Sequence, residues 1–178
     1  MRKKVLKGIH VIKKVKNIVP QSTRTLLYNA IISSHFDYCD VVWGNCGNTL
    51  QAKLQKLQDR SARIIRNVDW NVPSSDNLNE LNWTPLNARR RQHDAIMMYK
   101  IINNDVPQYL KDKFHFVNSS YALRRSSMYV AVPKPDTESL KRSFDYRGVI
   151  TWNSLHVNIQ NAPNLKSFKT SIASTVTS

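Results

Sequence analysis

Four glycines and two cysteines in 178 residues deprive this chain of the raw material for several familiar sites. Gly8, Gly44, Gly47 and Gly148 are too scattered to build a phosphate-cradling loop, and no Gly-x-Ser-x-Gly elbow occurs. Cys39 and Cys46 are too few for a disulfide framework and read as reduced thiols of an intracellular protein. With His35 they supply three of the four ligands a tetrahedral zinc site needs, and no Cys-x-x-Cys or His-x-x-x-His completes the set, so core packing is their expected role. No Asp-Asp pair exists. Asp37 and Asp40, three residues apart, come nearest to a pair of magnesium-binding carboxylates, and capping or solvent contact is the simpler expectation. No cofactor is expected. Apolar runs are short of the roughly 20 residues that span a bilayer, which argues against a membrane partner, and Lys13, Lys14 and Lys16 interrupt any signal-peptide core after the basic start.

What the chain does have is positive charge: 27 Lys and Arg against 12 acids, a net charge of +15. Such an imbalance favours a polyanionic partner, nucleic acid before anionic membrane. Hydrophobic residues at 41% and aromatics at 9% argue for a folded polymer rather than a disordered basic tail.

The organising stretch is Thr49 to Asn67. Leu50, Leu54, Leu57, Ile64 and Ile65 fall on one side of a helical wheel and predict a core face. Lys53, Lys56, Arg60 and Arg63 form a second stripe beside it, interrupted by no acid but Asp59, and this face suits water or an anion. Nineteen residues make a rod of roughly 28 Å.

Around it, helix follows helix. Residues 2–16 carry seven cations and no acid among apolar residues at helical spacing, a basic amphipathic helix stopped by Pro20. Gln21-Ser22-Thr23 offers capping hydroxyls to a second helix with Leu26, Leu27, Ala30 and Ile31 expected inside. Phe36, Tyr38, Val41, Val42 and Trp43 form an aromatic knot expected to be buried. A short helix over Ser75–Leu81, a long one over Leu86–Ile102 opened by Arg89-Arg90-Arg91, and a turn after Pro107 complete an all-α unit. In the long helix Ala95, Ile96, Met98, Tyr99 and Ile102 are the expected core side. From Val117 the texture changes: Met128–Val132 and Leu140–Phe144 read as strands, Pro133-Lys134-Pro135 as extended, and Leu165, Phe168 and Ile172 as one face of a last helix. Tyr121, Arg124, Arg125 and Tyr129, then Lys141, Arg142, Phe144, Tyr146 and Arg147, interleave rings with cations as single-strand platforms do, although Tyr129 and Phe144 equally suit a core.

Several segments together resemble a known family. They are Leu26 to Ile32, His35 to Gly44, Leu54 to Ile65, Leu78 to Leu86 with Trp83, Ala95 to Lys100, Pro133-Lys134-Pro135, Leu140 to Phe144, and Trp152-Asn153-Ser154-Leu155. In this order, from about Lys3 to Ile172, the chain is similar to the C-terminal end of a non-LTR (LINE-type) retrotransposon reverse transcriptase. The resemblance implies that residues before about 116 correspond to the thumb-like region after the polymerase palm, which holds the template-primer duplex. Residues 117–178 would correspond to the family's C-terminal extension. The palm's Phe/Tyr-x-Asp-Asp motif lies upstream of the matched region, so no catalytic residue carries over and the chain is not expected to be an enzyme by itself. The zinc knuckle and restriction-like endonuclease of some relatives have no counterpart here.

The expectations are these: a mainly α fold, with a helical bundle over 1–116 and a small α+β or irregular extension over 117–178. The expected function is non-catalytic binding of an RNA or DNA template-primer backbone, beside an upstream reverse transcriptase palm and fingers. The expected contacts are Lys53, Lys56, Arg60, Arg63, Arg89, Arg90, Arg91, Arg124, Arg125, Lys141 and Arg142, with no metal ligand. An intracellular protein of nucleus and cytoplasm would follow. The rival is a helical interaction or structural module whose cations only confer solubility, and a true enzyme would require Asp37, Asp40 and Asp94 to converge.

Overall fold

The computed structural model describes residues 1–44, 46–117 and 129–176. The described chain is mainly helical: α1 Arg2–Val15, α2 Gln21–Tyr28, a π-helical turn Asn29–Ser33, α3 Ser34–Asp37, α4 Asp40–Trp43, α5 Asn48–Arg66, α6 Ser74–Glu80 and α7 Leu86–Ile102. There follow α8 Gln108–Lys111, α9 Glu138–Lys141, α10 Phe144–Ser154, α11 Val157–Gln160 and α12 Leu165–Val176. Residues 1–40 and 46–89 form one compact unit, and 41–45 with 90–178 form a second. The expected boundary near 116 is therefore displaced: the composition shift there follows a change of local texture, whereas the change of core falls inside α7.

In the first unit α1, α2, the π turn and α5 share one core of Val5, Ile9, Ile12, Tyr28, Ile32, Phe36, Leu57, Ile65 and Leu86. Tyr28 stacks on Trp83 at 4.0 Å between ring centroids, and burial pushes its phenol well above the usual tyrosine range. The buried side of α2 and the turn after it differs from the one expected. Leu26 is 67% exposed and Ala30 is exposed, while Arg24, Tyr28, Ile32, Ser33 and Phe36 are buried. Steps of four residues drift by about 40° each on an α-helix, so this series would spiral off the core. The π turn holds more residues per revolution and takes the drift back. Nor do hydroxyls cap α2: Pro20 precedes it, with no side-chain cap bond.

Gly8 lies where α1 meets the π turn, and a Cβ there would stand 2.7 Å from Ile32 Cγ1 and 3.4 Å from the Ile31 carbonyl. Gly8→Ala improves helix propensity by about 1 kcal/mol, yet the overlap with a buried branched side chain costs about 1–3 kcal/mol. A lowered melting temperature is expected; a raised one would show that α1 can back away from Ile32.

The scarcity of glycine is met by asparagine. Asn67, Asn82 and Asn104 take left-handed φ values of 56°, 53° and 61° within two residues of the ends of α5, α6 and α7. In each case the next amide reaches back five residues, Val68 to Arg63, Trp83 to Leu78 and Asp105 to Lys100. This is the helix-ending motif usually given to glycine.

The second unit is built on Ala95, Met98, Tyr99, Ile101, Phe114, Val130, Val149, Trp152, Phe168 and Ile172. The expected last helix face is present, with Phe168 and Ile172 buried, and in α7 Ile96 and Ile102 are half-buried beside Ala95, Met98 and Tyr99. Among the described residues the two expected strands are not formed. Of Met128–Val132, the described residues make one antiparallel bridge, Phe116 to Val130, and Leu140–Phe144 is largely helical because the Thr137 hydroxyl caps α9 by accepting from the Leu140 amide. Val130 finds its other partner in a side chain: Asn153 donates to its carbonyl at 2.8 Å and accepts from its amide at 3.1 Å, standing in for a neighbouring strand.

Candidate nucleic-acid interface

The outward side of α5 belongs to Lys53, Lys56 and Arg60, all exposed, with Arg63 half-buried at its edge. The inward side is rotated from the expected one. Leu57, Gln58, Ser61, Ala62 and Ile65 are buried, whereas Leu50 is exposed. The polar members are tolerated because each is satisfied. Gln58 donates to the Thr84 carbonyl at 3.1 Å and accepts from Gln55, whose own carbonyl oxygen receives the Leu86 amide at 2.9 Å. Ser61 donates to the Leu57 carbonyl. These bonds fasten α5 to the turn before α7 and leave the cationic stripe facing solvent.

Lys53, Lys56 and Arg60 make no hydrogen bond or ion pair with any described residue. The one neighbouring acid, Asp59, accepts from Gln55 at 2.8 Å. In α1 the residues opposite the buried Val5, Gly8, Ile9 and Ile12 are Lys3, Lys7, His10 and Lys14, a second outward basic stripe in the same unit.

The arginine run of α7 behaves differently from the expectation. Arg89 donates to Asp37 at 2.6 Å, and Arg90, 7% exposed, lies over the Trp43 ring at 4.9 Å. Only Arg91 is exposed. A run of three on a helix turns through about 200°, so it cannot present one face, and the core claims its middle member. Arg90 is thus corrected from a phosphate contact to an internal cation–π partner.

In the second unit Lys141 is exposed but pairs with Glu138 at 2.6 Å, a contact that lowers the carboxyl and raises the ammonium from their usual ranges. Both groups stand in water, where such a pair adds little stability. Arg142 is exposed and donates to the Glu138 carbonyl at 3.1 Å. Phe144 packs on the core with its ring edge-on to Phe114, and Tyr129 is exposed. Arg124, Arg125, Tyr121 and Met128 lie outside the described residues.

Of the acids named as a test of enzymatic chemistry, Asp37 and Asp94 are held by guanidinium groups, and Asp40 is buried at 4% exposure. Asp37 accepts from Arg89, and Asp94, 1% exposed, takes a two-pronged bond from Arg147 at 2.6 and 2.9 Å. His35, Cys39 and Cys46 do not gather into a ligand set among the described residues. Of the aromatic knot Phe36 is buried, but Tyr38 is 76% exposed, Val42 is exposed and Trp43 is half-buried. Cys39, in the left-handed region at φ 52°, separates α3 from α4.

One exposed feature went unpredicted. Trp70, in the turn after α5, is 84% exposed, while Trp43 and Trp83 are half-buried and Trp152 is buried. Its place in a polar connector gave no periodicity from which to read its exposure. No family model, curated protein or solved structure matches this chain.

Proposed function

We propose that the chain is a non-catalytic module that holds a nucleic-acid backbone. In this reading it serves as the thumb-like region and C-terminal extension of a non-LTR retrotransposon reverse transcriptase, beside a palm and fingers upstream. The observation that carries the reading is the outward face of α5, where three exposed cations spread over about 10 Å are left without an internal partner. That span matches about three phosphates along one strand, each about 3.4 Å further along the axis. Backbone contact of this kind is sequence-tolerant and draws its free energy from released counterions. Partners would be RNA and DNA inside the cell, in nucleus and cytoplasm.

The test is anisotropy of a labelled RNA–DNA hybrid titrated with the chain across a salt series. Three to four neutralised phosphates give a slope of log affinity on log salt of about −3, or roughly a hundredfold loss between 50 and 200 mM. Absent or salt-independent binding would sink the reading. It would favour the interaction module, for which the exposed Ile18, Leu26 and Tyr38 of the first unit would be the contact residues.

A further inference from the structure

We infer that Trp70 is a base-stacking residue that gives the α5 stripe a preference for unpaired nucleotides, such as a single-stranded overhang; the inference rests on the backbone-holding role proposed for that stripe. Tryptophan offers the largest stacking face of any side chain, and 84% of this one stands in water. The turn that carries it is closed rather than loose. On its near side the Val68 amide donates to the Arg63 carbonyl at 3.3 Å, and Lys16 Nζ donates to the Asn67 side chain at 2.9 Å. On its far side the Val72 amide donates to the Asp69 carbonyl at 3.4 Å, and the Asn77 amide group donates to the Val72 carbonyl at 3.4 Å. A turn closed in this way gives up little backbone freedom on binding, which lowers the cost of presenting the indole to a base.

Its position suits the stripe. Val68 is bonded to Arg63, the last member of the stripe, and Trp70 is two residues further on, within about 7 Å of Val68 by chain length. A strand whose phosphates follow Lys53, Lys56, Arg60 and Arg63 toward the C-terminal end of α5 reaches the turn that carries the indole. Lys16 lies beside the turn, and Asp69 is its one acid. Rings at the end of a cationic track are the parts that single-strand binders combine, the cations holding the backbone and the ring holding a base. A base inside a duplex offers no free face, so the indole discriminates in favour of unpaired ones.

The experiment compares the full chain with Trp70→Ala and Trp70→Phe on two probes, a labelled 20-nucleotide single strand and a blunt duplex of equal length, at several salt concentrations. Trp70→Ala is expected to weaken single-strand binding by about tenfold or more, to leave duplex binding within twofold, and to leave the salt slope unchanged. Trp70→Phe should restore most of the loss. Far-UV circular dichroism checks that an exposed substitution leaves the fold intact. If Trp70→Ala binds the single strand like the wild type while steep salt dependence persists, the stacking role falls and the phosphate-tracking role stands; a protein would then be the better occupant for the indole. Equal weakening on both probes also overturns it. If the wild type binds neither probe, the underlying reading falls as well.

Discussion

Arg147→Met is expected to lower stability against urea by about 3–5 kcal/mol, the cost of leaving a buried charge without its main partner. Asp94 sits on α7 at 1% exposure, and the Arg147 side chain from α10 meets it at 2.6 and 2.9 Å. The same guanidinium donates to the carbonyls of Val41, at 3.1 Å, and Arg142, at 3.4 Å, so one side chain joins α7, α10 and the Val41 segment of the second unit. Asp94→Asn should cost less, about 1–3 kcal/mol, because it removes the buried charge and leaves a half-exposed arginine with two acceptors. The double variant Asp94→Asn/Arg147→Met should then be more stable than Arg147→Met alone. An Arg147→Met protein within 0.5 kcal/mol of wild type, or a double variant weaker than either single one, would show that the pair is not what holds these segments together.

Reversing Lys53, Lys56 and Arg60 to glutamate should reduce affinity for an RNA–DNA hybrid by roughly a hundredfold at moderate salt and flatten the salt slope from about −3 toward zero. None of the three side chains makes a hydrogen bond or ion pair with a described residue, so the folded state loses no such bond, and each exposed substitution should shift stability by no more than about 0.5 kcal/mol. Arg90→Gln provides the contrast. Its guanidinium lies over Trp43 inside the second unit, so it should lower the melting temperature while leaving the salt slope where it was. Were the triple variant to bind within threefold of wild type while folded, the stripe would be only a solvated face.

Sequence pattern alone located the long helices α1, α5 and α7. Apolar spacing and the stop at Pro20 placed these three within a residue or two, because such signals act over one or two turns of chain. The basic stripe of α5 was equally legible, since four cations and one acid between Lys53 and Arg63 leave little choice of outward face.

Which polar residues turned inward, and where the phase of a helix shifted, was decided only by the tertiary structure. Gln58 and Ser61 are buried because partners at Thr84 and Leu57 satisfy them, and Leu26 is exposed because a π turn reset the phase of the helix before it. Arg89 and Arg90 looked equivalent to Arg91 until Asp37 and Trp43, about 50 residues away in the chain, claimed them. Leu140–Phe144 has the composition of a strand, but a single hydroxyl from Thr137 started a helix there instead. Helical periodicity is a property of neighbours three and four residues apart, whereas burial of a polar group depends on a partner that only the folded chain brings within hydrogen-bond reach. Trp70 is the sharpest case. It stands 84% exposed in the turn between α5 and α6, where no periodicity of adjacent residues marks a tryptophan for the surface.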